Sequence, residues 1–346
     1  GYANVKIFKC NTCLTSKRYS SGPSSDKEKF CKYCGNESVL VAHVSLVDCP
    51  GHQKLTSTMW SGTCIMDYTI LVESISNPMI PAPQTWEHMV ATQIAGIPNA
   101  AVCLNKVDIV GAKSSGKKVI LDKVEELRAF VREFDSDKIV IPTSAVFGIN
   151  MDVLCECIAS LPVKEKDLTI FPKLIGIRSF DINEPVKLSS DHNLKGGTLG
   201  GSLVQGVLRV GDVVLIYPGH SQETDEGEVK CKNEITGNKT MLQYKNWAYY
   251  PIESTILSIK SETEFLETAI PGGLIGVQLD VDPGLTRKDK MVGHILVIKG
   301  SDHKICVTTK LLLHITDIFP DIKTKTEKQL TVTGGVRVKV NVNADE

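Results

Sequence analysis

The apolar positions of this chain follow two rhythms. Up to about Leu161, short apolar runs alternate with helical patterns. His43–Val47 predicts a strand, Lys54–Cys64 a helix, and Tyr68–Glu73 a buried strand. A helix is expected around Thr85–Ala95, then a strand at Ala100–Leu104. Across Lys118–Phe134, the residues Val119, Leu121, Val124, Leu127 and Val131 recur at an approximately helical period with charges between them. Ile139–Pro142 reads as another strand and Met151–Leu161 as a closing helix. Strand alternating with helix predicts a mostly parallel sheet covered on both faces, an α/β domain over residues 1–165.

After the Pro- and Lys-containing stretch Leu161–Phe171 the helical period disappears. Short strands punctuated by Gly are expected at Leu174–Phe180, Ser202–Val207, Asp212–Tyr217, Thr255–Lys260, Leu274–Leu279 and Gly293–Ile298. Such spacing implies an antiparallel barrel or sandwich over residues 166–300. Ile305–Ile315 and Gln329–Val342 look like strands of a partial third domain, residues 301–346. The alternative is one β domain interrupted by an insertion.

Composition narrows the class. The chain has 346 residues, 42% hydrophobic and 23% charged, which excludes whole-chain disorder. No apolar run reaches the ~20 residues that cross a bilayer, so no membrane role is expected. With 39 Lys and Arg against 40 Asp and Glu, only a local basic face could hold nucleic acid. The 11 cysteines are an odd number that a closed disulfide framework would not leave, which suits a reducing compartment, the cytosol. The chain begins at Gly1 without Met and ends just after a strand-like run, so parts at both ends are expected to be missing.

Two short motifs carry nucleotide chemistry. Asp48-Cys-Pro-Gly51-His52 follows the strand His43–Val47. There a carboxylate can hold a Mg²⁺-bound water while the Gly51 N–H reaches a γ-phosphate. His52 would orient the attacking water; its bland reading is a turn histidine packed on the sheet edge. Asn105-Lys106-Val107-Asp108 ends the strand Ala100–Leu104. Its Asp can accept from guanine N1–H and the 2-amino group, a pairing that adenine cannot make. Thr143-Ser144-Ala145, after Ile139–Pro142, sits where backbone N–H groups could contact the base oxygen. Singly these are ordinary loop motifs; their order, each at a strand end, makes the case.

The phosphate loop such a site requires is absent from residues 1–47. The lookalike Gly111-Ala-Lys-Ser-Ser-Gly116-Lys117 is rejected, because no Ser or Thr follows the Lys to bind Mg²⁺ and it lies on the base side. Either that loop lies outside this chain or triphosphate is not bound in the usual way.

Cys10-Asn-Thr-Cys13 and Cys31-Lys-Tyr-Cys34 have zinc-ribbon spacing, giving a tetrahedral structural site over residues 10–34. The alternatives are two redox pairs or four free thiols. Elsewhere the plain reading suffices. Cys155 and Cys157 read as packing residues, His88 as an ordinary helix histidine, and Trp247, Tyr249 and Tyr250 as a loop packed on the barrel. Gly196-Gly197 and Gly200-Gly201 read as turns or bulges.

With these residues in hand, the chain resembles the gamma subunits of archaeal and eukaryotic translation initiation factor 2, over residues 1 to about 315. The resemblance rests on Gly1-Tyr-Ala-Asn-Val-Lys-Ile-Phe-Lys-Cys10, on His43–His52, on Pro83-Gln-Thr-Trp-Glu-His88 and on Asn105–Asp108. Ile177–Asn183, Leu194–Gly197 and Pro271–Gly276 follow in the same order. It implies a GTPase domain of the P-loop type followed by two β-barrels, binding GTP or GDP with Mg²⁺ and holding a structural Zn²⁺. It also implies a cytoplasmic GTPase that carries methionyl initiator tRNA to the small ribosomal subunit and its mRNA, beside alpha and beta subunits. GTPase-activating and nucleotide-exchange factors would act on it. The family's strand, phosphate loop and first switch before Gly1 are missing, Gln53 replaces an expected Asp, and Asn233–Glu253 looks like an insertion. The alternatives are a nucleotide-independent scaffold subunit and an elongation-type tRNA carrier.

Overall fold

A computed structural model describes residues 2–14, 16–49, 65–134, 138–183, 196–223, 242–244, 247–262 and 264–301. The expected helix Lys54–Cys64, the residues Gly51 and His52, and the third-domain strands lie outside these. By packing, the chain divides between Lys164 and Glu165.

In the first unit, β1 (Tyr2–Cys10), β2 (Tyr19–Pro23), β3 (Lys29–Phe30) and β4 (Glu37–Val47) form an antiparallel sheet in the order β2-β1-β4-β3. β1 and β4 pair from Tyr2↔Val47 to Cys10↔Ser38, with a bulge at Ile7/Phe8. Ile7 and Phe8 are buried, anchoring that sheet. A second, parallel sheet holds β5 (Thr69–Ser74), β6 (Asn99–Asn105) and β7 (Val140–Pro142) in chain order. The strand leading to Asp48 is therefore longer than His43–Val47. It pairs antiparallel with β1 and is not hydrogen-bonded to the parallel sheet among the described residues.

Among the described residues four α-helices accompany these strands: α1 (Pro83–Ile94), α2 (Asp108–Gly111), α3 (Gly116–Arg132) and α4 (Met151–Ala159). Pro83 opens α1, where its missing N–H costs nothing. α3 buries Val124, Leu127, Phe130 and Val131, a single stripe at helical spacing. That stripe meets Leu71, Val102 and Leu104 of the parallel strands. Phe134 closes the cluster edge-on to Trp86, with ring centroids 6.4 Å apart, and to Phe130 at 5.2 Å. β6 is buried from Asn99 to Leu104, as a central parallel strand should be.

The second unit contains β8 (Lys173–Phe180), β9 (Thr198–Gln205), β10 (Leu208–Arg209), β11 (Val213–Glu223), β12 (Leu242–Tyr244) and β13 (Trp247–Ser261). β14 (Glu264–Leu266), β15 (Thr268–Ala269), β16 (Ile275–Leu279) and β17 (Ile295–Ile298) follow among its described residues. The order β11-β17-β8-β9-β16-β13 returns to β11 through the β11–β13 ladder, so six strands close a barrel. Leu174, Leu203, Ile216, Ile259, Leu279 and Leu296 fill it.

One reading changes here and another is sharpened. Trp247, Tyr249 and Tyr250 belong to a strand, not a loop: β13 begins at Trp247, inside the supposed insertion, and His220–Glu223 pair with Trp247–Tyr250. The glycines at 200 and 201 lie within β9 where its register against β8 shifts at Gly176/Arg178, so the expected bulge is there, and a Cβ on Gly201 would collide with the Ile175 carbonyl oxygen.

Candidate functional site

The C-terminal ends of parallel strands are where an α/β sheet opens a crevice for a ligand. Here β6 ends at Asn105 and β7 at Pro142, and the loops that follow are tied together. The Thr143 N–H donates to the Leu104 carbonyl (2.8 Å), and the Val107 N–H returns to the Thr143 carbonyl (3.2 Å). The Ser144 hydroxyl, fully buried, donates to Asp108 Oδ1 at 2.6 Å. Asn105 Oδ1 accepts from the Ala145 N–H at 3.2 Å and from Thr143 Oγ1 at 3.5 Å. Four of the five base-site residues expected from sequence thus meet in one hydrogen-bonded ring.

Lys106, the fifth, bridges Asn105 and Asp108 in the left-handed region, with φ of 64°. An L residue there costs about 1–3 kcal/mol unless its surroundings impose it. Here the ties on either side do so, and Lys106 itself stays exposed. Asp108 starts α2 and keeps Oδ2 and its remaining lone pairs for a ligand's N–H groups. A planar base with two adjacent donors suits that carboxylate. The backbone N–H groups expected to reach the base oxygen are already engaged: Ser144 N–H donates to the Ile149 carbonyl (3.3 Å) and Ala145 N–H to Asn105. The loop spends them on its own closure, so Ala145 could serve a ligand only by sharing its hydrogen.

Sequence reasoning missed two supports. Asn150, left-handed at φ 57°, donates its side-chain N–H to the Pro142 carbonyl (2.7 Å) and so pins the far end of the Ser144–Ile149 loop. Asx side chains tolerate this conformation, and an Asn before a helical run was the available signal. Glu73, 1% exposed at the end of β5, accepts the Ser74 N–H (3.0 Å), the Ala82 N–H (2.9 Å) and the Asn77 side chain. It organises the loop into α1, and the Ile75 N–H of that loop donates to the Asn105 carbonyl (3.0 Å).

Of the phosphate-side residues, Asp48 directly follows β4. Its neighbour Cys49 has its thiol pushed up by burial and then by the Asp48 charge. Gly51 and His52 lie outside the described residues. The lookalike loop forms the α2–α3 turn, where a Cβ on Gly116 would strike the Val110 carbonyl oxygen.

The cysteine pairs meet. Cys10 and Cys34 sulfurs lie 3.4 Å apart and those of Cys13 and Cys31 3.7 Å, with all four sulfurs within 4.8 Å of one another. Tetrahedral ligands at a Zn–S length of about 2.3 Å stand about 3.8 Å apart, so the donor set fits a zinc-sized ion. Backbone N–H groups aim at the first sulfur of each knuckle. The Cys13 and Thr12 amides hold the Cys10 thiol down, to about 6, and the Cys34 and Tyr33 amides lower Cys31. Burial pushes Cys13 up, to about 12. Gly35, at φ 74°, makes the turn beyond the second knuckle, its N–H donating to the Cys31 carbonyl (3.0 Å). Cys155 is buried and Cys157 donates to the Ala100 carbonyl (3.5 Å); neither is one of the four clustered sulfurs.

Comparison with known proteins gives these features a context. The model of the elongation factor Tu GTP binding domain matches residues 33–163. The eukaryotic translation initiation factor 2 subunit gamma of Encephalitozoon cuniculi is 36% identical over 359 aligned positions, covering 100% of this chain and 75% of that protein. The translation initiation factor 2 subunit gamma of Pyrococcus furiosus is 34% identical over 319 positions, covering 92% of this chain and 69% of that one. Among solved structures, translation elongation factor SelB from Methanococcus maripaludis with the GTP analogue GppNHp has a TM-score of 0.54 at 20% identity. It covers 74% of this chain and 46% of that chain, a likeness of fold.

Proposed function

Because this chain belongs to the gamma-subunit family of translation initiation factor 2 and is a GTPase, we propose that it carries methionyl initiator tRNA to the small ribosomal subunit. It does so in the cytoplasm, within a heterotrimer with alpha and beta subunits, and releases the tRNA after GTP hydrolysis. The observation that supports this best is the closed ring at the ends of β6 and β7, which holds Asp108 ready before any ligand arrives. Asp108 accepts the guanine N1–H and 2-amino hydrogens. Asn105 fixes the loop that carries Ser144 and Ala145, and Lys106 lies along the base between them. A carboxylate that the bound base covers, and that adenine would leave unpaired, gives the discrimination.

On the phosphate side, Asp48 takes the Mg²⁺ water shell, Gly51 the γ-phosphate and His52 the attacking water, contributions of position rather than covalent chemistry. Cys10, Cys13, Cys31 and Cys34 hold a zinc ion whose part is structural, since four protein thiolates leave it no open position. Gain or loss of γ-phosphate contacts would set tRNA affinity, with activating and exchange factors timing the change.

The test is a titration of labelled methionyl initiator tRNA against the full-length protein with GTP analogue, with GDP and without nucleotide, at one salt concentration. Tight binding with the analogue alone, lost in Asp108→Asn, is expected. Equal binding in all three states would leave a scaffold instead of a switch.

A further inference from the structure

The chain as a whole is balanced at −1, but the stretch from Lys9 to Tyr33 is not. It carries Lys9, Lys17, Arg18, Lys27, Lys29 and Lys32 against Asp26 and Glu28. Two of these cations are committed inside the unit. Arg18 pairs with Glu156 of α4 at 3.4 Å, and Lys29 with Asp26 at 3.8 Å and the Ser21 carbonyl. Lys17 and Lys32 are exposed and form no ion pair with an acidic side chain among the described residues.

Beside them the surface is aromatic. Tyr33, between the ligand positions Cys31 and Cys34, is 61% exposed, and Lys17 Nζ stands 5.4 Å from its ring centroid. Phe30, just before Cys31, is 62% exposed. The backbone beneath these rings is held by the turn at Gly35, by the Cys31 N–H donating to the Asn36 carbonyl (2.8 Å) and by the Asn36 side chain, which donates to Thr12 Oγ1 at 2.8 Å. Tyr33 therefore cannot retire into a core; its turn presents it outward.

Exposed rings on a rigid turn, interleaved with unpaired lysines, match what an unpaired nucleic-acid strand requires: cations for phosphates and a flat face for a base. An acidic peptide would answer the lysines and leave both rings in water. In a translational GTPase the unpaired strands encountered are RNA. We propose that the tip of the cysteine knuckles is a single-stranded RNA-binding surface, with Tyr33 stacking a base and Lys17 and Lys32 taking the flanking phosphates. It is separate from the Asn105–Asp108 cluster and depends on no nucleotide.

The experiment measures anisotropy of a labelled oligouridine of about twelve nucleotides with the full-length protein at several salt concentrations. Guanine-nucleotide affinity is measured on the same samples, so that failure of this surface and failure of the nucleotide reading are told apart. Tyr33→Ala should weaken RNA binding about tenfold, whereas Tyr33→Phe keeps the stacking face and stays within about twofold. The double variant Lys17→Glu/Lys32→Glu should weaken binding and flatten the log–log salt slope by about two phosphate contacts. That variant leaves every knuckle cysteine in place, so it tests the surface even if Tyr33→Ala disturbs the turn. Absence of oligouridine binding by the unaltered protein, or equal binding by all variants, would overturn the proposal. So would displacement of the RNA by a polyglutamate peptide at equal affinity per charge, which would assign the surface to an acidic protein segment.

Discussion

The first unit holds two clusters of chemistry-bearing residues, and they are assembled by opposite means. At the ends of β6 and β7, donors meet acceptors: Ser144 on Asp108, Ala145 and Thr143 on Asn105, Asn150 on the Pro142 carbonyl. Each partner satisfies the other, so that site exists before its ligand. In the knuckles, four sulfurs gather within 4.8 Å with almost nothing to offer one another, and their charged forms repel. One site is finished by the fold; the other offers a donor set that an ion would finish.

The largest effect that could break this comparison is metal removal. Structural zinc contributes about 10–16 kcal/mol in small peptides, so chelation, or Cys31→Ser, should open residues 10–34 to protease while the parallel sheet stays protected. Limited proteolysis with metal analysis checks this. Knuckles that remain resistant without metal would mean that hydrogen bonds sustain both clusters alike. Next in size is Asp108→Asn. Losing two bonds to a charged acceptor should weaken guanine nucleotides at least about a hundredfold. Xanthine nucleotides should gain, because their second oxygen can accept from the new amide; a competition titration reads both.

Smaller is Glu73→Ala, which strands the Ser74 and Ala82 N–H groups and should cost about 2 kcal/mol of stability, seen in denaturant unfolding, while guanine-over-adenine preference holds. A changed preference would extend the base site into the β5–α1 loop. Smallest is Ser144→Ala: one bond to Asp108 disappears, about 1 kcal/mol, weakening nucleotide about fivefold without altering base preference. No change at all would show that the ring does not need that tie to aim Asp108.

How much of this could be read from sequence varied with how local each cause was. Ala100–Leu104 followed by Asn105-Lys-Val-Asp108 announces a buried strand with a polar end, and β6 is that. The knuckle spacing likewise states its own geometry. Glu73 was hidden because it ends an apolar run, and only the folded loop shows three donors converging on it. Asn150 was hidden because its value lies in a carbonyl on another strand. The strand preceding Asp48 was found, but its pairing was not: apolar runs do not say whether a neighbour runs parallel or antiparallel, and β4 lies against β1. Trp247–Tyr250 carried the strand preference of aromatic residues. The polar stretch before them masked that signal, and β13 absorbs them.

Lys106 bears on how this protein would respond to selection in the laboratory. Its backbone sits where glycine is at ease and lysine is not. Lys106→Gly would relieve that strain, at some cost in unfolded-chain entropy, while removing the side chain proposed to lie along the base. A screen that rewards heat resistance alone would have reason to collect this change, and its winners would be sturdier proteins with a poorer grip on nucleotide. A screen that keeps guanine binding as a second criterion would hold the lysine in place.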